Sequence, residues 1–185
     1  MIVRLVGSEM CIRDRKYGIE PDLALFGKAL GNGYAITACI GRQEFMQAAQ
    51  QTFISSTFWT ERIGPSAALK TLEVMERTKS WETITETGNS ISKRWKILSD
   101  KYELDINTWG LPALSGFTFN AKNGLSYKTF ITQEMLKKGY LAANSIYVCT
   151  EHTQEIVDGY FEALDPLFEI IKDCENGLDI KTMLE

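Results

Sequence analysis

The chain has 185 residues, 44% apolar and 24% charged, which is the make-up of a globular protein of one or two small domains rather than a fibre or a disordered tail. Its net charge of −4 and the lack of any lysine- or arginine-rich run argue against nucleic acid or an anionic membrane as partner, which favours a small molecule. Cys11, Cys39, Cys149 and Cys174 form no CxxC pair, one histidine leaves little for a metal site, and no apolar run reaches the roughly 18 residues of a membrane span or forms a leader, so reduced thiols in a cytoplasmic protein are expected.

At the amino terminus, Leu5-Val6-Gly7-Ser8-Glu9-Met10-Cys11-Ile12-Arg13-Asp14 fits no structural pattern. It resembles the translation of a transposon-derived sequencing-library adapter. Residues 1–15 are therefore expected to be an adapter-derived artefact without fold information, the reading frame being entered in mid-protein.

Ordered patterning starts at Lys16. Pro21 holds the residue before it extended, and the apolar run Leu23-Ala24-Leu25-Phe26 suits a buried strand. Lys28 follows at its end. Gly31-Asn32-Gly33 then permits positive φ and close backbone approach, and Tyr34 to Ile40 reads as a second buried strand. A lysine between two core strands is partly desolvated, which favours a neutral amine able to condense with an aldehyde. The commonplace alternative is a lysine that snorkels from a strand end.

Ser55, Ser56, Thr57 and Thr60 precede a helix expected over 65–78, whose apolar positions are Ala67, Ala68, Leu69, Leu72 and Met75. Hydroxyls at a helix start either cap it or meet an anion there. A second helix is expected over 80–102, with Trp81, Ile84, Ile91, Trp95 and Leu98 as its buried stripe. Residues 113–120 have strand character, 126–138 helical character ended by Gly139, and 140–149 extended character. Thr153 is placed to cap a last helix over 153–172, with Glu155 in its acidic first turn. His152, just before it, reads as a loop or capping residue, and the tail beyond Asp173 as liable to fray.

Pro21-Asp22-Leu23-Ala24-Leu25-Phe26-Gly27-Lys28-Ala29-Leu30-Gly31-Asn32-Gly33 resembles the cofactor-lysine signature of the class III, fold-type I, pyridoxal-phosphate-dependent aminotransferases, the group that includes glutamate-1-semialdehyde aminomutase. Ser55-Ser56-Thr57-Phe58-Trp59-Thr60-Glu61 with Gly64-Pro65-Ser66-Ala67-Ala68 is similar to that family's phosphate loop, and the likeness runs from about Lys16 to about Asp173. It implies an α/β fold: residues 16–78 as part of the large cofactor-binding domain, and 79–185 as a connecting helix and a small α+β carboxy-terminal domain containing a mixed sheet. It implies pyridoxal 5'-phosphate as cofactor, held through a Schiff base on Lys28, which also moves protons. Thr57, with Ser56 beside it, would hold the phosphate of a neighbouring subunit, making the full-length protein a homodimer. Phe58 and Trp59 would border the substrate pocket.

The implied reaction moves an amino group between an amino donor and a keto or aldehyde acceptor, both small molecules. The aminomutase usually has three consecutive glycines after its lysine; Gly31-Asn32-Gly33 departs from that and favours intermolecular transfer. The family's other cofactor contacts are a glycine-serine phosphate loop, an aromatic ring stacked on the pyridine and an aspartate at the ring nitrogen. None is found before Lys16, so the chain as written is expected to bind cofactor weakly and not to turn over. An aldolase-type lysine enzyme and a noncatalytic dimerisation remnant stay open as readings from other classes.

Overall fold

The computed structural model describes Gly18, residues 20–54 and residues 57–185. The adapter-like string and Ser56 lie outside these. The chain divides into two compact units, Met1–Trp81 and Glu82–Glu185.

In the first unit, β1 (Leu23–Phe26) pairs antiparallel with β2 (Ala38–Gly41), Leu23 opposite Gly41 and Phe26 opposite Ala38. Successive side chains of a strand point to opposite faces, so Ala24 and Phe26 are buried while Leu23 and Leu25 are 48% and 68% exposed. The expectation of two fully buried strands is thus corrected. β1 is half-buried, and β2 forms only from Ala38 onward with Ile40 exposed, because this ribbon has just two strands and one covered face.

A single turn of helix, α1 (Gln43–Met46), runs into a 3-10 segment, Gln47–Gln51. The long helix of this unit is α2 (Ile63–Thr78), which begins two residues before the expected Pro65. Proline is tolerated there because first-turn amides have no partner within the helix. Of the expected stripe only Ala68 is buried, and Leu69 is 70% exposed. The helix ends at Lys79, which adopts left-handed φ (49°) and donates its N–H to the Met75 carbonyl. Ser80 then starts α3 (Ser80–Lys101), inside which the two units divide.

The second unit is built on a three-stranded sheet in the order β3 (Ile106–Leu111), β4 (Leu114–Phe119), β5 (Ser145–Tyr147), antiparallel throughout. The mixed sheet expected from the sequence is therefore not present here: β3 and β4 join as a tight hairpin, which forces opposite directions. Helices α4 (Gly124–Lys137) and α5 (Gln154–Glu175) complete the unit. α4 stops as expected at Gly139, where φ of 85° lets the Tyr140 N–H reach the Met135 carbonyl. Thr153 caps α5, its hydroxyl accepting the Ile156 N–H at 3.4 Å.

The core of this unit gathers Trp95, Phe117, Tyr127, Phe130, Leu164 and Phe168, each 0–1% exposed. Trp95 and Phe117 lie with ring centroids 4.9 Å apart, and Phe117 and Phe168 5.9 Å apart. Full burial of such side chains is worth about 1.5–3 kcal/mol each, the main source of stability available to a unit of this size. The indole N–H of Trp95 donates to the Tyr160 hydroxyl at 3.1 Å, so that deep polar group is satisfied.

Candidate active site

Lys28 stands two residues past the end of β1, at the start of a 3-10 turn over Lys28–Leu30. Its own backbone is left-handed, with φ of 49°, which costs a non-glycine residue on the order of 1 kcal/mol and persists only where the surroundings dictate it. The turn that dictates it is closed by the Lys28 carbonyl, which accepts the N–H groups of Gly31 and Asn32, both at 3.2 Å. Asn32 and Gly33 also have positive φ, 46° and 105°. At Gly31 the need is space, since a Cβ there would stand 2.0 Å from the Tyr34 carbonyl oxygen. The glycine-rich stretch thus performs both expected tasks.

The Lys28 side chain is exposed and makes no ion pair among the described residues. Partial desolvation between two core strands is accordingly not its state in this chain, because β1 and β2 have only one covered face. The amine is sterically open to an aldehyde.

Thr57 lies exposed in the turn Thr57–Thr60, where the Glu61 N–H donates to the Phe58 carbonyl at 2.9 Å. Trp59 in this turn has φ of 44° and is 74% exposed, an unusual posture for a bulky residue. Just beyond, the Glu61 carboxylate accepts the N–H groups of Ile63 at 2.6 Å and Gly64 at 2.9 Å. The first turn of α2 is therefore already met by a negative charge, which both the free amides and the helix dipole favour.

The sequence places Glu61 in this loop but not its contact with the start of α2. An acidic side chain shortly before an apolar-periodic run is a helix-start signal, obscured here by placing the start at Pro65.

Gly64 is buried, and a Cβ on it would lie 2.7 Å from the Ala35 carbonyl oxygen and 3.2 Å from the Ile36 Cβ. The first turn of α2 thus packs on the loop that follows Lys28. Beside this contact is an open depression of about 480 Å³ lined by Tyr34, Arg62, Ile63, Ser66 and Ala67. Neither Lys28 nor Thr57 lines it. What the first unit brings together is the two loops carrying them, each anchored at the start of α2. His152 takes a local role: its Nδ1 accepts the Cys149 N–H at 2.9 Å and lies 3.3 Å from the Cys149 sulfur.

Residues 11–151 match the aminotransferase class-III family. The chain belongs to the class III aminotransferases. The 3-aminobutyryl-CoA aminotransferase of Cloacimonas acidaminovorans is 31% identical over 163 residues, covering 84% of this chain and 39% of that protein. A glutamate-1-semialdehyde 2,1-aminomutase of Methanocaldococcus jannaschii is 25% identical over 170 residues, covering 83% and 40%. Among solved structures, the FumI protein of Sphingopyxis sp. MTA144 in its PLP internal aldimine form superposes with a TM-score of 0.78 at 25% identity, covering 93% of this chain and 42% of that one. The fold is thus the α/β fold of the PLP-dependent transaminases. This class III aminotransferase chain spans about two fifths of the length of the relatives it matches.

Proposed function

We propose that the full-length protein transfers an amino group between an amino donor and a keto or aldehyde acceptor, with pyridoxal 5'-phosphate as cofactor and Lys28 as its covalent anchor. The observation that carries this reading is the exposed Lys28 amine, without an ion pair among the described residues, on a left-handed turn held by its own carbonyl. When bound, the cofactor supplies the aldehyde and the electron sink that the reaction needs.

The chain's own share is simpler. Lys28 Nζ would hold the cofactor as its covalent anchor and, as general base and acid, would take the proton from the substrate α-carbon and give it up again in the transfer. The Thr57 hydroxyl, with Ser56 as its neighbour, would hold the phosphate of the neighbouring subunit's cofactor, while Phe58 and Trp59 would border the substrate. Asn32, where an aminomutase usually has glycine, supports transfer between two molecules. The reading extends to a cytoplasmic homodimer, in which the Thr57 loop of one subunit would serve the cofactor of the other.

The test is to incubate the purified chain with pyridoxal phosphate, reduce with borohydride and map the adduct by peptide mass spectrometry. The expected result is one dominant adduct on Lys28, absent from Lys28→Ala. Labelling spread over the surface lysines without preference for Lys28 would remove the anchor role.

A further inference from the structure

In the second unit, the chain leaves the sheet at β5 and turns into α5 through a loop that holds a nucleophile and a base together. Cys149 and His152 close this loop reciprocally. The His152 N–H donates to the Cys149 carbonyl at 3.1 Å, and the Cys149 N–H donates to His152 Nδ1 at 2.9 Å. A backbone N–H can only donate, so Nδ1 bears the lone pair and the proton of the neutral ring sits on Nε2. That same Nδ1 lies 3.3 Å from the Cys149 sulfur, which makes the thiol the donor of the side-chain pair. Cys149 is exposed and His152 half-buried, so a reagent can reach the sulfur while the ring beside it is held.

We propose that Cys149 and His152 form a thiol-modification site for a small uncharged or cationic disulfide, with the sulfur as nucleophile and Nδ1 as the base that receives its proton. The Cys149 S–H bond breaks and its proton passes to Nδ1, while the sulfur's electron pair forms a bond to one sulfur of the reagent. The reagent's own S–S bond breaks, and the departing thiolate collects the proton from Nδ1 and leaves as a free thiol. The Cys149 sulfur is oxidised and one reagent sulfur reduced, so the disulfide itself is the oxidant. While Nδ1 carries the proton it cannot accept the Cys149 N–H, and the His152 N–H bond to the Cys149 carbonyl keeps the loop closed. Glu151, exposed in the same loop, disfavours an anionic reagent.

The pair stands apart from the cofactor reading, which uses neither residue. Two other cysteines supply the comparison. Cys39 is exposed but has no hydrogen-bond partner among the described residues, and Cys174 is buried. Exposure without a base, and burial, are thus both represented in the same chain.

The test treats the reduced 185-residue chain at pH 7 with hydroxyethyl disulfide and follows each cysteine by peptide mass spectrometry. Cys149 should react at least about tenfold faster than Cys39, a modest share of what a placed base can contribute, and Cys174 should stay unlabelled while the chain is folded. In His152→Asn, whose side-chain oxygen can still accept the Cys149 N–H, Cys149 should slow to within about threefold of Cys39, and Cys39 should keep its rate. Cys149 reacting no faster than Cys39 in the wild type, or undiminished in the folded variant, overturns the proposal.

If the variant does not fold, imidazole nitrogen NMR of the wild type replaces it. An unprotonated Nδ1 in the reduced chain, whose resonance shifts when Cys149 is converted to the mixed disulfide, supports the pair; a protonated Nδ1, or one indifferent to that conversion, overturns it. For the class of reagent, cationic cystamine should outpace anionic glutathione disulfide at Cys149, with a lead that shrinks as salt is added. A lead for the anionic disulfide would overturn the charge assignment.

Discussion

Tyr127 has a fully buried ring, yet its hydroxyl donates to the Glu175 carboxylate across 48 positions of sequence. Burial, and then that carboxylate, push the phenol up to about 12, from an ordinary value near 10. A folded-state value raised above the unfolded one means that the stabilisation is fully present below pH ~10 and is lost as pH rises towards 12. Tyr127→Phe removes both the bond and the titration. The variant is expected to be less stable than wild type at pH 8 by about 1.5–3 kcal/mol, as for a hydrogen bond to a charged group. That gap should narrow as denaturant midpoints are measured from pH 10 upward, and a gap that stays constant through pH 11.5 would show that the phenol does not titrate with folding. At Lys28 the residue-scale effect has the opposite character, since its left-handed backbone is a cost sustained for position.

Among the elements, α5 was the most legible in the sequence. Val157, Tyr160, Phe161, Leu164, Leu167, Phe168, Ile171 and Cys174 fall at three- and four-residue steps, and all are buried on one face. The helix runs on through Pro166, which is exposed and removes one backbone bond on the solvent side. An interior proline costs about 3 kcal/mol, partly offset by the freedom it denies the unfolded chain. Pro166→Ala should therefore raise stability by about 1–3 kcal/mol in urea unfolding of the second unit's transition, with an unchanged slope; no gain, or a loss, would mean the ring has an unrecognised packing role.

β3 was missed because Asn107, Thr108, Trp109 and Gly110 carry no apolar alternation, and Asn107 to Gly110 face solvent. β1 and β2 were read as buried because apolar runs report hydrophobicity and not the number of layers that cover them. In the site, the lysine and its glycines were legible because their chemistry lies within a few residues of sequence. The contact of the Glu61 carboxylate with the first turn of α2 was not, because it depends on where α2 begins, and helix ends are the least certain part of a periodic pattern.

The two units differ most in what they bury. Among the described residues of the first unit, the buried apolar side chains are Ala24, Phe26 and Ala68, while Leu25, Phe53, Ile54, Trp59, Ile63 and Leu69 are 66–88% exposed. Every member of the contiguous core from Ile91 to Ile180 belongs to the second. Burial of apolar area is the dominant favourable contribution to folding and must exceed the entropy of ordering about 1–2 kcal/mol per residue. The second unit has the material to meet that cost, and the first has little of its own. A polypeptide of residues 80–185, opening at the start of α3, is therefore expected to unfold as one cooperative transition with a near-ultraviolet signal from Trp95, at a midpoint within a few degrees of the main transition of the whole chain. Residues 16–81 alone should give no cooperative transition and should associate through their exposed apolar side chains. A sigmoidal melt from the shorter piece, or its absence from the longer one, would place the stability of the chain in the wrong unit.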